Sequence, residues 1–255
     1  MRLHYRELGD ASRPPVILVH GLLGSSSNWM GVAPRLEPDY HLILPDLRNH
    51  GRSPHDGRMD YPSMAADLQE LTDHLGIGSA AFIGHSMGAK AVMWLGLGNP
   101  ERVDRLMSVD MAPVTYTHDF RPILDAMTAV DLATLGSRRD ADAQLARLLP
   151  DIALRQYLLQ NLVREAGRWR WRVNLRAIKA GMDDILGFPH AKGWDYPGTA
   201  WFVYGTESSY VTPEMTPGIR RLFPLARLRP VTGAGHWLYS EKPDAFVEIV
   251  QAFLS

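Results

Sequence analysis

Between positions 80 and 98 the sequence reads AAFIGHSMGAKAVMWLGLG, an apolar β-rich run that passes through Gly84-His85-Ser86-Met87-Gly88 and straight on into a helical pattern. A strand that turns into a helix without an intervening loop forces the turning residue into a strained backbone conformation. It exposes that residue's side chain at the carboxyl end of the strand. Small residues at 84 and 88 let neighbouring backbones come close to the turn. The pattern is G-x-S-x-G in strand-to-helix context, a nucleophile elbow, and it makes Ser86 the expected nucleophile.

The elbow sits in a longer alternation. β-rich runs occur at 16–20 (VILVH), 41–45 (HLILP), 80–84 (AAFIG), 105–110 (RLMSVD), 200–205 (AWFVYG) and 226–231 (ARLRPV). Most are continuously apolar, as strands buried on both faces are. Helical patterns separate them. Met64, Leu68, Leu71 and Leu75 share one stripe, with Ser63 the expected N-cap and Gly76 just past the end, and others run over 87–97 and 243–254. This order predicts an α/β protein with a mostly parallel sheet covered by helices on both faces. The alternation stops over 113–197, where Leu- and Arg-rich patterns such as AQLARLL and RQYLLQNLV occur with no strand between them. Residues 1–112 and 198–255 are therefore read as one core domain, and 113–197 as a helical cap inserted in it.

Composition removes other classes. Twenty-seven Lys+Arg against 28 Asp+Glu, a net charge of -1, provide no field to draw a nucleic acid. With no cysteine there is no thiolate nucleophile, disulfide or Cys-ligated metal. Neither H-E-x-x-H nor G-x-x-x-x-G-K-[ST] occurs, and Gly96-Leu97-Gly98 has Glu101 where a dinucleotide loop needs its third glycine. No metal and no cofactor is implied. The N-terminal MRLHYRELGD has no apolar h-region, and no apolar run approaches the roughly 20 residues that span a bilayer. A soluble cytoplasmic protein is expected.

A hydrolytic serine needs a base and two donors for the developing oxyanion. His236, in GAGHWLYSEKPDAF between the last strand and the last helix, follows the serine in chain order and is the expected base. The N–H of Met87, directly after the nucleophile, is one expected donor. The N–H of Leu22, in the His20-Gly21-Leu22-Leu23-Gly24 loop after an early strand, is the other. His20 and His85 are expected to pack or hydrogen-bond locally.

Taken in order, VILVHGLLGSSSNW, LPDLRNHGRSP, FIGHSMGAKAV, VDMAPV and GAGHWLYSEKPDAF resemble the α/β-hydrolase superfamily. Within it the chain is similar to small YbfF-type esterases and their mitochondrial abhydrolase-domain relatives. The resemblance covers essentially the whole chain and is sharpest outside 113–197. It implies an eight-stranded sheet, a helical cap and esterase activity on short acyl esters, in some members on acyl-CoA thioesters. The stretch from Asp46 to Ser53 matches a superfamily loop in which Asp46, Arg48 and His50 are expected to satisfy the backbone and one another. The 167–172 run GRWRWR suits a solvated amphipathic face or a short two-faced strand or turn, and otherwise offers cations to a phosphate-bearing substrate.

The third triad member departs from the superfamily's commonest pattern, in which the acid follows the penultimate strand as G-x-x-D-x-x-V. Here AWFVYG is followed by Thr206, Glu207, Ser208, Ser209, Tyr210 and Val211, so Ser208 stands at the aspartate position. A serine cannot stabilise an imidazolium as a carboxylate does. Asp110 ends the strand before the insertion, at the sheet edge where the elbow and the His236 loop converge, and in the resembled esterases the acid has moved there. Glu207 is the rival.

The chain is thus read as a carboxylic ester hydrolase whose partner is a small-molecule acyl ester, or a thioester. The alternatives are a C–C bond hydrolase or lyase on the same scaffold, since fold and triad do not fix the reaction, and a non-catalytic ligand-binding protein.

Overall fold

Strands buried on both faces have only one another to satisfy their N–H and C=O groups, so the apolar runs pair side by side. In the computed structural model, which describes residues 1–255, the chain opens with β1 (Tyr5–Leu8), β2 (Pro15–Val19), α1 (Ala33–Leu36), β3 (His41–Pro45), α2 (Tyr61–His74), β4 (Ala80–His85), α3 (Met87–Gly98) and β5 (Val103–Val109). There follow α4 (Arg121–Thr128), α5 (Arg138–Leu145), α6 (Ile152–Leu159), β6 (Leu162–Glu165), β7 (Arg168–Trp171), α7 (Leu175–Ala180) and α8 (Met182–Leu186). The chain closes with β8 (Thr199–Gly205), α9 (Thr216–Leu222), β9 (Ala226–Val231), α10 (Leu238–Glu241) and α11 (Pro243–Leu254).

One sheet runs in the order β1-β3-β2-β4-β5-β8-β9. It is parallel except for β1, which lies antiparallel to β3. Side chains alternate between its faces. Ile17, Val19, Phe82, Leu106 and Phe202 join a core with α2 and α3, while Val16, Leu18, Ile83, Met107 and Val203 join a second core with α1 and α11. Helices therefore cover both faces, as the alternation predicts.

The sheet has seven strands, not the eight that the resemblance implies. One of its edges is the short strand β1, YREL, which has no fully buried residue. The inserted stretch is not wholly helical either, because β6 and β7 form an antiparallel hairpin of their own. Its Arg/Trp alternation becomes the two faces of β7: Arg168 and Arg170 are exposed, Trp169 and Trp171 half-buried. The Trp171 indole donates to the Met127 carbonyl at 2.8 Å. Helix α2 begins earlier than the stripe suggests, with Asp60 as N-cap accepting the Ser63 N–H at 2.7 Å. Helix α3 is buried at every position from Met87 to Met93, so it is the central helix that carries the elbow.

Candidate active site

Ser86 occupies the single residue between β4 and α3, with φ +51° and ψ −120°. A serine at a helix N-cap ordinarily turns its hydroxyl back onto the first-turn amides. Here the left-handed backbone prevents that and the side chain caps nothing, so the hydroxyl stays uncommitted. The Ser86 N–H is held by the Val109 carbonyl at 3.1 Å. The flanking glycines are steric requirements. A Cβ at Gly84 would lie 2.6 Å from the Ala89 Cα, and one at Gly88 2.4 Å from the His20 carbonyl oxygen.

His236 lies in the loop between β9 and α10. The Glu241 carboxylate fixes that loop by accepting the N–H of Gly235 at 2.6 Å and of Trp237 at 3.1 Å, one on each side of the histidine. The imidazole stacks on Tyr210, centroids 4.0 Å apart and planes at 22°, and lies 4.6 Å from the His85 ring. Its Nδ1–H donates to Asp110 Oδ2 at 2.7 Å. With the proton at Nδ1, Nε2 keeps its lone pair. His85 bonds through Nε2 to the His236 carbonyl at 3.0 Å, and burial pushes its pKa well below the usual histidine range, so it sits beside His236 as a neutral ring.

Asp110 ends β5 with φ +53° and is fully buried. Its N–H reaches the Val203 carbonyl at 2.8 Å. Oδ1 accepts the Gly205 N–H at 3.1 Å, and Oδ2 accepts the Ser208 hydroxyl at 2.5 Å besides the imidazole. Three donors thus surround this buried carboxylate, which satisfies its charge without a cation. Glu207, the rival acid, is exposed.

In the loop after β2, the Leu23 N–H is bound to His50 Nε2 at 3.1 Å, and Leu23 has φ +59°. The N–H groups of Leu22 and Met87 donate to no backbone carbonyl. His20 donates from Nδ1 to the Gly21 carbonyl at 2.8 Å and accepts the Leu47 N–H at Nε2 at 2.9 Å. His50 donates from Nδ1 to the Arg48 carbonyl at 2.9 Å. Burial lowers both pKa values, that of His50 to about 3, so these neutral rings staple the 20–24 loop to the 46–53 loop. Within the latter, Asp46 accepts the Ser26 and Arg52 amides at 2.7 and 2.8 Å. Arg48 pairs with buried Asp67 at 2.6 Å. These side chains satisfy backbone groups as expected, but not one another's side chains, because Arg48 takes its carboxylate from Asp67 of α2.

Two adjoining cavities meet at Ser86. The larger, about 160 Å³, is lined by Leu22, His236, Trp237, Leu154 and Tyr157 among others. The smaller, about 20 Å³, is lined by Leu22, Met87, Lys90, Tyr116 and Leu186 among others. A wider surface hollow of about 970 Å³ lies between Pro113 and Pro224, but neither Ser86 nor His236 lines it. Ser86, His236, Asp110, Met87 and Leu22 therefore come together at one edge of the sheet, and Glu207 stays outside.

No sequence motif assigns a role to several residues of this site. Tyr210 stacks on His236, Glu241 grips its loop, Tyr157 donates to the Leu22 carbonyl at 2.8 Å and Asn161 to the Leu23 carbonyl at 2.7 Å. Lys90 is buried one turn below Ser86. Only Lys90 carried a legible signal, a charge at i+4 from the serine inside an otherwise apolar helix.

The chain is similar to known proteins along its whole length. Its residues 14–243 match the family described as alpha/beta hydrolase fold. It is 40% identical over 254 residues to sn-1-specific diacylglycerol lipase ABHD11 of Xenopus tropicalis, covering 96% of this chain and 79% of that protein. It is 38% identical over 244 residues to esterase YbfF of Escherichia coli (strain K12), covering 94% and 93%. Among solved structures, a marine microorganism esterase matches with a TM-score of 0.95 and 35% identity over 99% of both chains. A family match over most of the chain, joined to the strand order and the elbow between β4 and α3, establishes that this chain belongs to the α/β hydrolase fold family.

Proposed function

We propose that the chain is a carboxylic ester hydrolase in which Ser86, His236 and Asp110 act as a catalytic triad and the Met87 and Leu22 amides form the oxyanion hole. One observation carries this reading: the 2.7 Å bond from His236 Nδ1–H to the buried Asp110 carboxylate, at a histidine sharing a cavity with Ser86. Asp110 holds the tautomer in which Nε2 can take the Ser86 proton. The Ser86 oxygen attacks the ester carbonyl, and the oxygen that becomes anionic is met by the Met87 amide, at the start of α3, and by the Leu22 amide. His236 gives the proton to the departing alcohol. Water then attacks the acyl-enzyme with the same histidine as base, releasing the acid and restoring Ser86.

The relatives named diacylglycerol lipase and esterase both point to ester substrates. The larger cavity, at about 160 Å³ and mostly apolar, falls below the ~300–1,000 Å³ of typical ligand sites. It suits a small ester, with a thioester as the second class. Residues 113–197 serve as the cap, since Phe120, Ile123, Leu154, Tyr157 and Leu158 supply much of that cavity's wall. A fluorophosphonate probe with intact-mass readout tests the assignment. Wild type should gain one adduct, and Ser86→Ala should fold, take no label and lose ester turnover. Turnover above a tenth of wild type in Ser86→Ala would sink it.

A further inference from the structure

Lys90 is 1% exposed, has no carboxylate partner and takes no part in the proposed chemistry. A buried ammonium without a counter-ion is costly, so its hydrogen bonds need a reason. Nζ donates to the Leu186 carbonyl at 2.9 Å and to the Gly187 carbonyl at 2.7 Å, and lies 4.7 Å over the Tyr116 ring. Burial pushes its pKa down to about 7. Beside it, the Tyr61 hydroxyl donates to the Ile185 carbonyl at 2.5 Å. Three consecutive carbonyls at the end of α8, which have no helical partner of their own, are thus tied to α3 and α2. The cavity that Lys90 and Tyr61 close is the one shared by Ser86, Met87 and Leu22.

The two cavities at Ser86 differ in which reacting groups they hold. His236, which must reach the departing oxygen, lines only the larger one; Met87, one of the two amides that would meet the carbonyl oxygen, lines only the smaller, and Leu22, the other, lines both. On the esterase reading above, the alcohol part then lies in the larger cavity and the acyl part in the smaller. At about 20 Å³ the smaller one has room for little more than one water-sized group.

We propose that Lys90, with Tyr61 beside it, determines specificity by strapping the end of α8 across the acyl side of the site, so that only short acyl groups fit. Lengthening the acyl chain must push Ile185 and Leu186 outward against these bonds. Lengthening the alcohol meets no such strap.

Two p-nitrophenyl and alkyl ester series test this in the intact enzyme, one varying the acyl group from acetyl to hexanoyl, the other varying the alcohol of an acetate ester. The kcat/KM of wild type should fall by about a hundredfold along the acyl series and by less than about tenfold along the alcohol series. Lys90→Met keeps an unbranched side chain, one atom shorter, that donates nothing, and should raise the hexanoyl-to-acetyl ratio at least about tenfold. Tyr61→Phe, which loses one hydroxyl, should move the ratio the same way by less, and carries the test if Lys90→Met does not fold. A ratio unmoved in the folded variants overturns the role of the strap, because a merely structural defect lowers both substrates alike. Turnover that requires Ser86 but ignores acyl length overturns the inference and leaves the esterase reading standing. Absence of turnover on every ester overturns both.

Discussion

Ser208 donates its hydroxyl to Oδ2 of Asp110 at 2.5 Å, the same oxygen that receives the Nδ1–H of His236 at 2.7 Å. The position at which the superfamily's commonest pattern carries the acid is thus held by a donor to an acid supplied from another strand. β5 and β8 are paired neighbours with Val109 opposite Val203, so the end of either strand reaches the same point beside the His236 loop. On the proposed triad, a carboxylate at the end of either strand would stand where it can orient His236.

Asp110→Asn should lower kcat by something on the order of 10⁴ with little change in KM, because an amide nitrogen facing Nδ1 selects the wrong tautomer. Glu207 is exposed, and Glu207→Gln should stay close to wild type. Steady-state kinetics on one activated ester decides it, and a crippled Glu207→Gln beside an active Asp110→Asn would reverse the assignment.

Ser208→Ala should cost roughly tenfold in kcat, since it removes one charge-assisted bond and leaves Asp110 held by Gly205 and the imidazole. Adding Ser208→Asp to Asp110→Asn should recover part of the lost activity by returning a carboxylate from β8. A double variant no better than Asp110→Asn would mean that side-chain reach from 208 to the imidazole is insufficient.

Most of the frame was legible because buried parallel strands and the elbow impose local patterns. His41–Pro45, Ala226–Val231 and Pro243–Leu254 form at the expected bounds. β1 was missed because YREL is short, polar and at the edge, where pairing rather than burial makes the strand. β6 has two buried residues followed by two exposed ones and so no strand period, and it was missed, whereas β7 was legible only as an open alternative for 167–172 because four alternating residues are a weak signal beside the Leu-rich stretches around them. At the site, Ser86 and His236 are legible from type and position, and Asp110 from its place at a strand end together with the resemblance, with Glu207 as the rival. Tyr157, Asn161 and Tyr210 act through contacts set by how the insertion packs, which no local spacing encodes.

Gly88→Ala should destabilise the fold by about 1–3 kcal/mol or prevent it, because its Cβ would meet the backbone carbonyls of His20 and Val19 at 2.4 and 2.7 Å rather than a yielding side chain. Gly76 has φ +68° but open space around it, so Gly76→Ala carries only the backbone penalty. Urea denaturation of the two variants should rank them in that order, and equal midpoints would contradict the close approach at Gly88.

Stability should fall as the pH drops from 7.5 to 5. His20, His50 and His85 are buried with lowered pKa values, so below the unfolded value near 6.5 the unfolded chain binds protons that the folded chain refuses. Each contributes up to about 1.4 kcal/mol per pH unit until its own folded pKa is reached, near 3 for His50. Asp46, also lowered, adds loss only below its ordinary value of 3.8, and Lys90 is protonated in both states below about 7. A urea midpoint that does not move between pH 7.5 and 5 would mean that these rings accept protons in place.

The inserted segment should matter for the chemical step as well as for substrate choice, because it holds the loop that carries the Leu22 amide. Tyr157 bonds the Leu22 carbonyl at 2.8 Å and Asn161 bonds the Leu23 carbonyl at 2.7 Å, while His50 takes the Leu23 N–H from the core side. Leu23 is in the left-handed region, a conformation that persists only when its neighbours over-determine it. Loss of a whole oxyanion donor costs about 10²–10³ in kcat, and a donor shifted by a fraction of an ångström costs part of that. Tyr157→Phe should therefore lower kcat about tenfold. Asn161→Ala, which orphans a buried carbonyl, should lower kcat further and also destabilise by roughly 1–3 kcal/mol. Because the carbonyl oxygen gains its charge only on the way to the transition state, KM should change little in either variant, and binding of a phosphonate transition-state analogue should weaken in step with kcat. If instead KM rises while kcat holds, the two side chains shape the pocket without aiming the amide, and the insertion's role is confined to substrate fit.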